Sequence, residues 1–272
     1  MKRKLKKVVW PLVYLVLIIN VCLSFILVFR SYYFKSIFVD GRSMEPTLYG
    51  NRGEQAYADY GIIDDHQNAL NTIKRFKIIT TYYPFAYSTD YVGGYVHGQT
   101  NVVDKKESSY KIKRVYGMPG ETIKFDLNEA MANKAIELAE KYHDIYNELA
   151  QEAAMEAIEF YVKKNGDLNF VKQELNFKRK ININNLNSYK NYTYELGDDE
   201  YWVMGDNYSS SWDCFREKAP IYQDNLVGVL IAIEGRCKIR TKRNTSTTTN
   251  DDGTKDYYYE CVDRKRHFPV FY

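Results

Sequence analysis

Residues Val8 to Phe29, VVWPLVYLVLIINVCLSFILVF, run for 22 positions without a charged side chain. A helix rising about 1.5 Å per residue would carry such a run about 33 Å, enough to cross a hydrocarbon core of about 30 Å. Asn20, Cys22 and Ser24 can bond within the helix, and Pro11 falls in its first turns. A buried core helix would not be this long and this apolar. A cleaved signal peptide would have an apolar region of about 7–15 residues closed by a small-residue cleavage site, whereas RSYYFKSIF follows here. The run is therefore read as a retained anchor. Lys2, Arg3, Lys4, Lys6 and Lys7 precede it, against Arg30 and Lys35 after it. That asymmetry predicts a single-pass protein of the cell membrane, N-terminus in the cytoplasm and bulk of the chain outside.

Taking those five cations from the chain's net charge of +3 leaves residues 8–272 at −2, which gives no footing for a nucleic-acid partner. A hydrophobic content of 45% sustains a core and excludes wholesale disorder. The four cysteines lack CxxC spacing, so neither a disulfide scaffold nor a structural zinc site is expected. Tyr32, Tyr33 and Phe34 read as an interfacial aromatic belt or as simple packing.

From Phe38 to about Phe125 short β-rich runs recur, as in KIITTYY (77–83), YVGGYVHG (91–98) and YKIKRVYG (110–117), separated by polar turns. Asn128 to Lys164 then lacks Gly and Pro. Its apolar positions Met131, Ala135, Leu138, Tyr142, Ile145 and Leu149 alternate four and three apart, which predicts one helical face, with Gly166 as the stop. Strand-like runs return in YWVMG (201–205) and LVGVLIAI (226–233), and NTSTTTNDDGTK (244–255) reads as an exposed hairpin loop. Cys237 and Cys261 flank that loop, and the sequence leaves open whether they are bridged.

Two segments carry chemistry. In FVDGRSMEPTL (38–48), Ser43 follows a Gly-containing turn and precedes Pro46. Such a turn can hold a hydroxyl out of regular structure with its own N–H free for an oxyanion, although a serine in a Gly/Pro turn is usually only a turn residue. In KIKRVYGMPGE (111–121), Lys111 and Lys113 share one face of a strand and Arg114 takes the other. A strand lysine is ordinarily solvated. Buried, it titrates below its free value of about 10.4 and can accept a serine proton. His66, His97, His143 and His267 fall in no triad context, and neither H-E-x-x-H nor G-x-S-x-G occurs.

In this order after an N-terminal anchor, the segments resemble the bacterial type I signal peptidases, serine–lysine endopeptidases that remove signal peptides from exported preproteins. VDGRSMEPTL is similar to their nucleophile box, with Ser43 at the nucleophile. KRVYGMPGE is similar to their general-base box, with Lys113 at the base and Arg114 beside it. MGDNYSSSWD (204–213) is similar to a third box, which would make Asp206 and Asn207 its Gly-Asp-Asn motif, Ser211 a hydrogen-bond partner of the base lysine and Asp213 a structural aspartate. IKRFKIITTYY (73–83) and DNLVGVLIAI (224–233) are smaller echoes.

The resemblance implies a mainly β fold, an antiparallel β catalytic body with a helical insertion behind one transmembrane helix. The expected division is a basic tail (1–7), an anchor (8–29), a catalytic domain (30–127 and 194–272) and a variable, non-catalytic insertion (128–193). Implied partners are preprotein signal peptides with small residues one and three positions before the cut, the lipid bilayer and the export machinery. No cofactor or metal is implied. Met44 is a candidate for the apolar substrate surface, with core packing as its other reading.

Several positions depart from the pattern. Cys214 and Phe215 stand where Ser and Arg are usual, which leaves Arg216 as the substitute partner for Asp206 or Asp213. Phe76-Lys77 replaces a Gly-Asp pair, and Gly41 stands where some members carry a hydroxyl. A self-cleaving repressor-type peptidase would have a soluble DNA-binding N-terminus in place of the apolar run. The alternative function is an inactive anchored homologue serving in binding or assembly, against which the presence of both Ser43 and Lys113 counts.

Overall fold

The structure is a computed structural model and describes residues 2–50, 57–82, 110–243 and 257–272. The chain opens with helix α1 (Lys2–Tyr33) and continues through β1 (Phe34–Phe38), β2 (Tyr57–Asp64), α2 (Gln67–Leu70), β3 (Ile78–Tyr82), β4 (Tyr110–Gly117) and β5 (Thr122–Leu127). Helices α3 (Glu129–Tyr142) and α4 (Glu148–Ala157) follow, then β6 (Ile158–Lys163), β7 (Val171–Gln173), β8 (Tyr192–Glu195) and β9 (Glu200–Met204). The short helix α5 (Cys214–Glu217), β10 (Ile221–Tyr222), β11 (Leu226–Arg243) and β12 (Tyr257–Phe271) complete it.

Within α1, Trp10–Val28 is long and apolar enough to cross a membrane and buries nothing against the rest of the protein, which is compatible with a single-pass anchor. Its end is fastened to the body. Arg30 donates to Glu234 at 2.6 Å, Lys35 pairs with Asp65, and the Tyr33 ring stacks on His66 with centroids 4.8 Å apart.

The fold is mainly β, and its named strand pairs are antiparallel. One sheet runs β1-β2-β11-β3-β4-β9-β10, with β12 also pairing β11; the other runs β7-β6-β5-β8. The larger apolar core joins the second sheet, α3 and α4 to strands β4 and β9 through Tyr116, Phe125, Phe160, Trp202 and Phe215. A smaller core lies beneath the 38–48 turn, built from Val39, Met44, Leu48, Ile78, Ile112 and Leu230.

The stretch after Asn128 is not one helix. His143 adopts the left-handed conformation and closes α3, and the Asn147 side chain caps α4 by accepting from the Leu149 and Ala150 N–H groups. The buried face is made of alanines (132, 135 and 139 in α3; 150, 153, 154 and 157 in α4), while Tyr142 and Leu149 stay exposed. Small side chains let helices pack closely; of the expected stripe, Ala135 is buried and Met131, Leu138 and Ile145 pack half-buried at the edge of the core. From Ile158 the run IEFYVK alternates buried and half-buried positions, and its period of two makes it strand β6.

The runs at 91–98, with His97, and at 244–255 lie outside the described residues. Strands on either side of the latter pair antiparallel with Arg243 opposite Tyr257, and a Cys237–Cys261 disulfide crosses them with Cα atoms 5.7 Å apart. Cys214 is a buried thiol and Cys22 an exposed one on α1.

Candidate active site

Strand β4 lies between β3 and β9, with Lys113 opposite Ile79 and Arg114 opposite Ile78 and Met204. Successive side chains of a strand leave on opposite faces, so these two cations enter different surroundings. Lys113 Nζ stands 2.9 Å from Ser43 Oγ and 3.2 Å from the Ile112 carbonyl oxygen, in a residue only 3% exposed. Burial lowers its pKa from 10.5 to about 8; Asp213 opposes the shift, and the neighbouring Lys111 charge adds to it.

Ser43 is held by its turn and by the third box. Gly41 takes φ +71°, a left-handed conformation that suits a residue without Cβ. The Asn207 N–H donates to the Ser43 carbonyl at 2.9 Å, and Asn207 Nδ2 donates to the Arg42 carbonyl at 3.0 Å. A Cβ on Gly205 would lie 2.4 Å from the Ser43 carbonyl oxygen and 2.2 Å from Ser211 Oγ, so only glycine allows this approach. Among the described residues the Ser43 N–H donates no hydrogen bond.

On the other face, Arg114 grips buried Asp206 with two prongs, Nε to Oδ1 at 2.9 Å and Nη2 to Oδ2 at 2.6 Å. Thr47, four residues past the serine, donates to Asp206 Oδ2 at 2.5 Å, tying the pair to the Ser43 turn. Asp206 therefore finds its cation in the second box and not in Arg216. The Arg216 guanidinium lies over Trp212 at 4.6 Å, and its backbone N–H meets Asp213 Oδ1 at 3.4 Å. Asp213 caps α5 and accepts from the Gly205 N–H at 2.9 Å, so it braces the backbone facing Ser43.

Two expectations take a different form. Ser211 Oγ is buried but has no hydrogen-bond partner among the described residues, so the bond expected to Lys113 is not made; the hydroxyl faces the Gly205 backbone. Met44 is fully buried in the smaller core, where it packs beneath the turn and presents no surface to a substrate.

The Phe76 departure is intelligible. Its φ of +67° is one that glycine adopts more easily. The residue is held there by its N–H to Val115 O at 2.7 Å, by Arg114 Nη1 on its carbonyl at 2.8 Å, and by ring contacts with Tyr116, Phe160 and Phe177.

Sequence reasoning missed a further contribution, from the segment after β7. Lys180 donates its N–H to Asp206 O at 2.7 Å, accepts from the Tyr208 N–H at 2.9 Å, and reaches Glu45 Oε2 with Nζ at 3.0 Å. Phe177 lies 4.1 Å under the Arg114 guanidinium, and buried Arg179 sits over the Tyr116 ring at 5.4 Å. Nothing local in NFKRKIN marks these roles, since each partner is far away in the chain. Among the described residues no group of three or more His, Cys, Asp or Glu side chains is placed to hold a metal ion.

The family model described as signal peptidase, peptidase S26, matches residues 12–233, from within α1 to within β11. No curated protein matches the chain.

Proposed function

The chain belongs to the signal peptidase family, peptidase S26, and on that premise we propose that it is a membrane-anchored serine endopeptidase cutting signal peptides from exported preproteins, with Ser43 as nucleophile and Lys113 as general base. The observation that carries the proposal is the 2.9 Å separation of Ser43 Oγ and Lys113 Nζ with the amine buried. A lysine titrating at about 8 is partly neutral near pH 7. Its lone pair takes the Oγ proton as Oγ adds to the scissile carbonyl carbon. The Ser43 N–H then faces the developing oxyanion. Collapse of the tetrahedral species breaks the C–N bond, and the Lys113 ammonium gives its proton to the departing amine. Water next attacks the acyl-enzyme and gives a proton to Lys113, which returns it to Oγ as the ester bond breaks. Arg114, Asp206, Asp213 and Gly205 hold this geometry from behind, and Ser211 fills the space beside Gly205.

Placement supports the same substrate. The 13 residues between Phe29 and Ser43 span under roughly 50 Å even when extended, and Arg30 and Tyr33 hold the end of α1 against the body. A nucleophile so tethered works beside the bilayer, where the apolar helix of a signal peptide resides. The Cys237–Cys261 disulfide supports an oxidising compartment, as expected for a catalytic body outside the cytoplasm. The test is a preprotein-cleavage assay with purified full-length protein in detergent. Wild type is expected to cut after a small residue, and Ser43→Ala and Lys113→Ala are each expected to lose at least about 10³-fold in rate. Undiminished cutting by Lys113→Ala would remove lysine from the mechanism.

A further inference from the structure

Glu45 lies two residues after Ser43, and its side chain is 0% exposed, so water cannot hydrate the carboxylate. Among the described residues, Lys180 Nζ reaches it at 3.0 Å and Arg42 Nε at 3.6 Å, the latter from a side chain half in solvent. A buried carboxylate depends on its cation far more than an exposed one does. Lys190–Glu129, both largely exposed, is the ordinary surface case.

Lys180 is itself held on both sides. Its backbone is hydrogen-bonded to Asp206 and Tyr208. Gln151 of α4 clasps the next residue, accepting from the Ile181 N–H at 2.8 Å and donating to the Ile181 carbonyl at 2.9 Å. Lys180 thus spans from the third box, whose Asn207 already holds the Ser43 carbonyl, to the turn just beyond Ser43.

We propose that Lys180, contributed by the stretch outside all three boxes, is a positioning residue that fixes the Ser43 turn against Lys113 through Glu45. The inference rests on the Ser43–Lys113 reading and gives the 128–193 stretch a part in catalysis. Lys180 touches no reacting atom. Its contribution is geometric, and a displacement of about 1 Å at the nucleophile can cost about 100-fold in rate.

The experiment uses the full-length protein in detergent, comparing wild type with Lys180→Met, Lys180→Arg and the surface control Lys190→Met. Preprotein turnover is measured together with amide hydrogen exchange over residues 40–49. Lys180→Met is expected to lower kcat about 10- to 100-fold with KM changed less than about twofold. Exchange over 40–49 should quicken while β5 exchange stays as in wild type. Lys180→Arg, which keeps the charge, should recover most of the rate, and Lys190→Met should match wild type. Wild-type kcat and exchange in Lys180→Met, or a loss confined to KM, would overturn the proposal. If Lys180→Met does not fold, Glu45→Gln takes its place, with the same slower kcat and faster exchange expected and unchanged values overturning the idea. An inactive wild type would sink the Ser–Lys reading instead, and the exchange comparison would still decide whether Lys180 fixes the turn.

Discussion

On one face of β4, Arg114 lies against Asp206 in a two-pronged bond, with Thr47 and the Phe76 carbonyl completing its surroundings. One residue earlier, on the opposite face, Lys113 meets a hydroxyl and a carbonyl oxygen, and its pKa falls to about 8. Both side chains are nearly inaccessible to water. The difference lies in what each cation is given in exchange for its hydration. A carboxylate at hydrogen-bond distance matches the charge of Arg114, and the pair becomes a strut between the second and third boxes. Opposite Lys113 the alcohol carries no charge, so burial favours the neutral amine, which is the form able to take a proton. One strand thus sets one buried cation against a carboxylate and the next against an alcohol, by alternation alone.

The largest expected effect beyond the two dyad substitutions comes from breaking the strut. Asp206→Asn leaves Arg114 buried without its carboxylate and should destabilise the protein by about 3–5 kcal/mol in denaturant unfolding. A change below about 1 kcal/mol would mean that the Arg114 face is as tolerant as an exposed ion pair.

The Lys113 face should behave in the opposite sense. Its folded pKa of about 8 lies below the unfolded value near 10.5, so the unfolded chain binds more protons between those limits. Stability should rise with pH across that window and be lowest below about 8. Lys113→Met removes the penalty and should stabilise the protein at pH 7 by up to about 3 kcal/mol while abolishing cleavage. Destabilisation by that substitution would show that the lysine is held as a charged group.

Reduction of Cys237–Cys261, which closes a loop with a sequence separation of 24, should cost about 3 kcal/mol or less, seen as a lower unfolding midpoint. Because the bridge crosses β11 and β12 away from the β4 site, cleavage under native conditions should continue.

The residues of the candidate site were legible because they sit in short, local strings. Ser43, Lys113 and Asp206 can be recognised in their boxes before any fold is known, and the strand alternation of 111–114 already places the two cations on opposite faces. What escaped depended on distance or on small residues. Arg114 as the partner of Asp206 bridges 92 positions, and Lys180 reaches Glu45 across 135. The alanine faces of α3 and α4 carry little hydropathy, so the larger side chains suggested one longer helix; Ala135, Met131, Leu138 and Ile145 of that stripe do meet the core, while Tyr142 and Leu149 do not. Ser211 was placed by resemblance in a bond to Lys113, yet the close approach of Gly205 to Ser43 directs its hydroxyl against backbone.

The most direct test of the central claim is the pH dependence of kcat/KM for preprotein cleavage by the wild-type protein. A base that must be neutral predicts a single-proton rise with its midpoint near 8, the value set by burial of Lys113. A midpoint near 10.4, the value of a solvated lysine, or a profile flat across that range, would contradict a dry, neutral amine opposite Ser43.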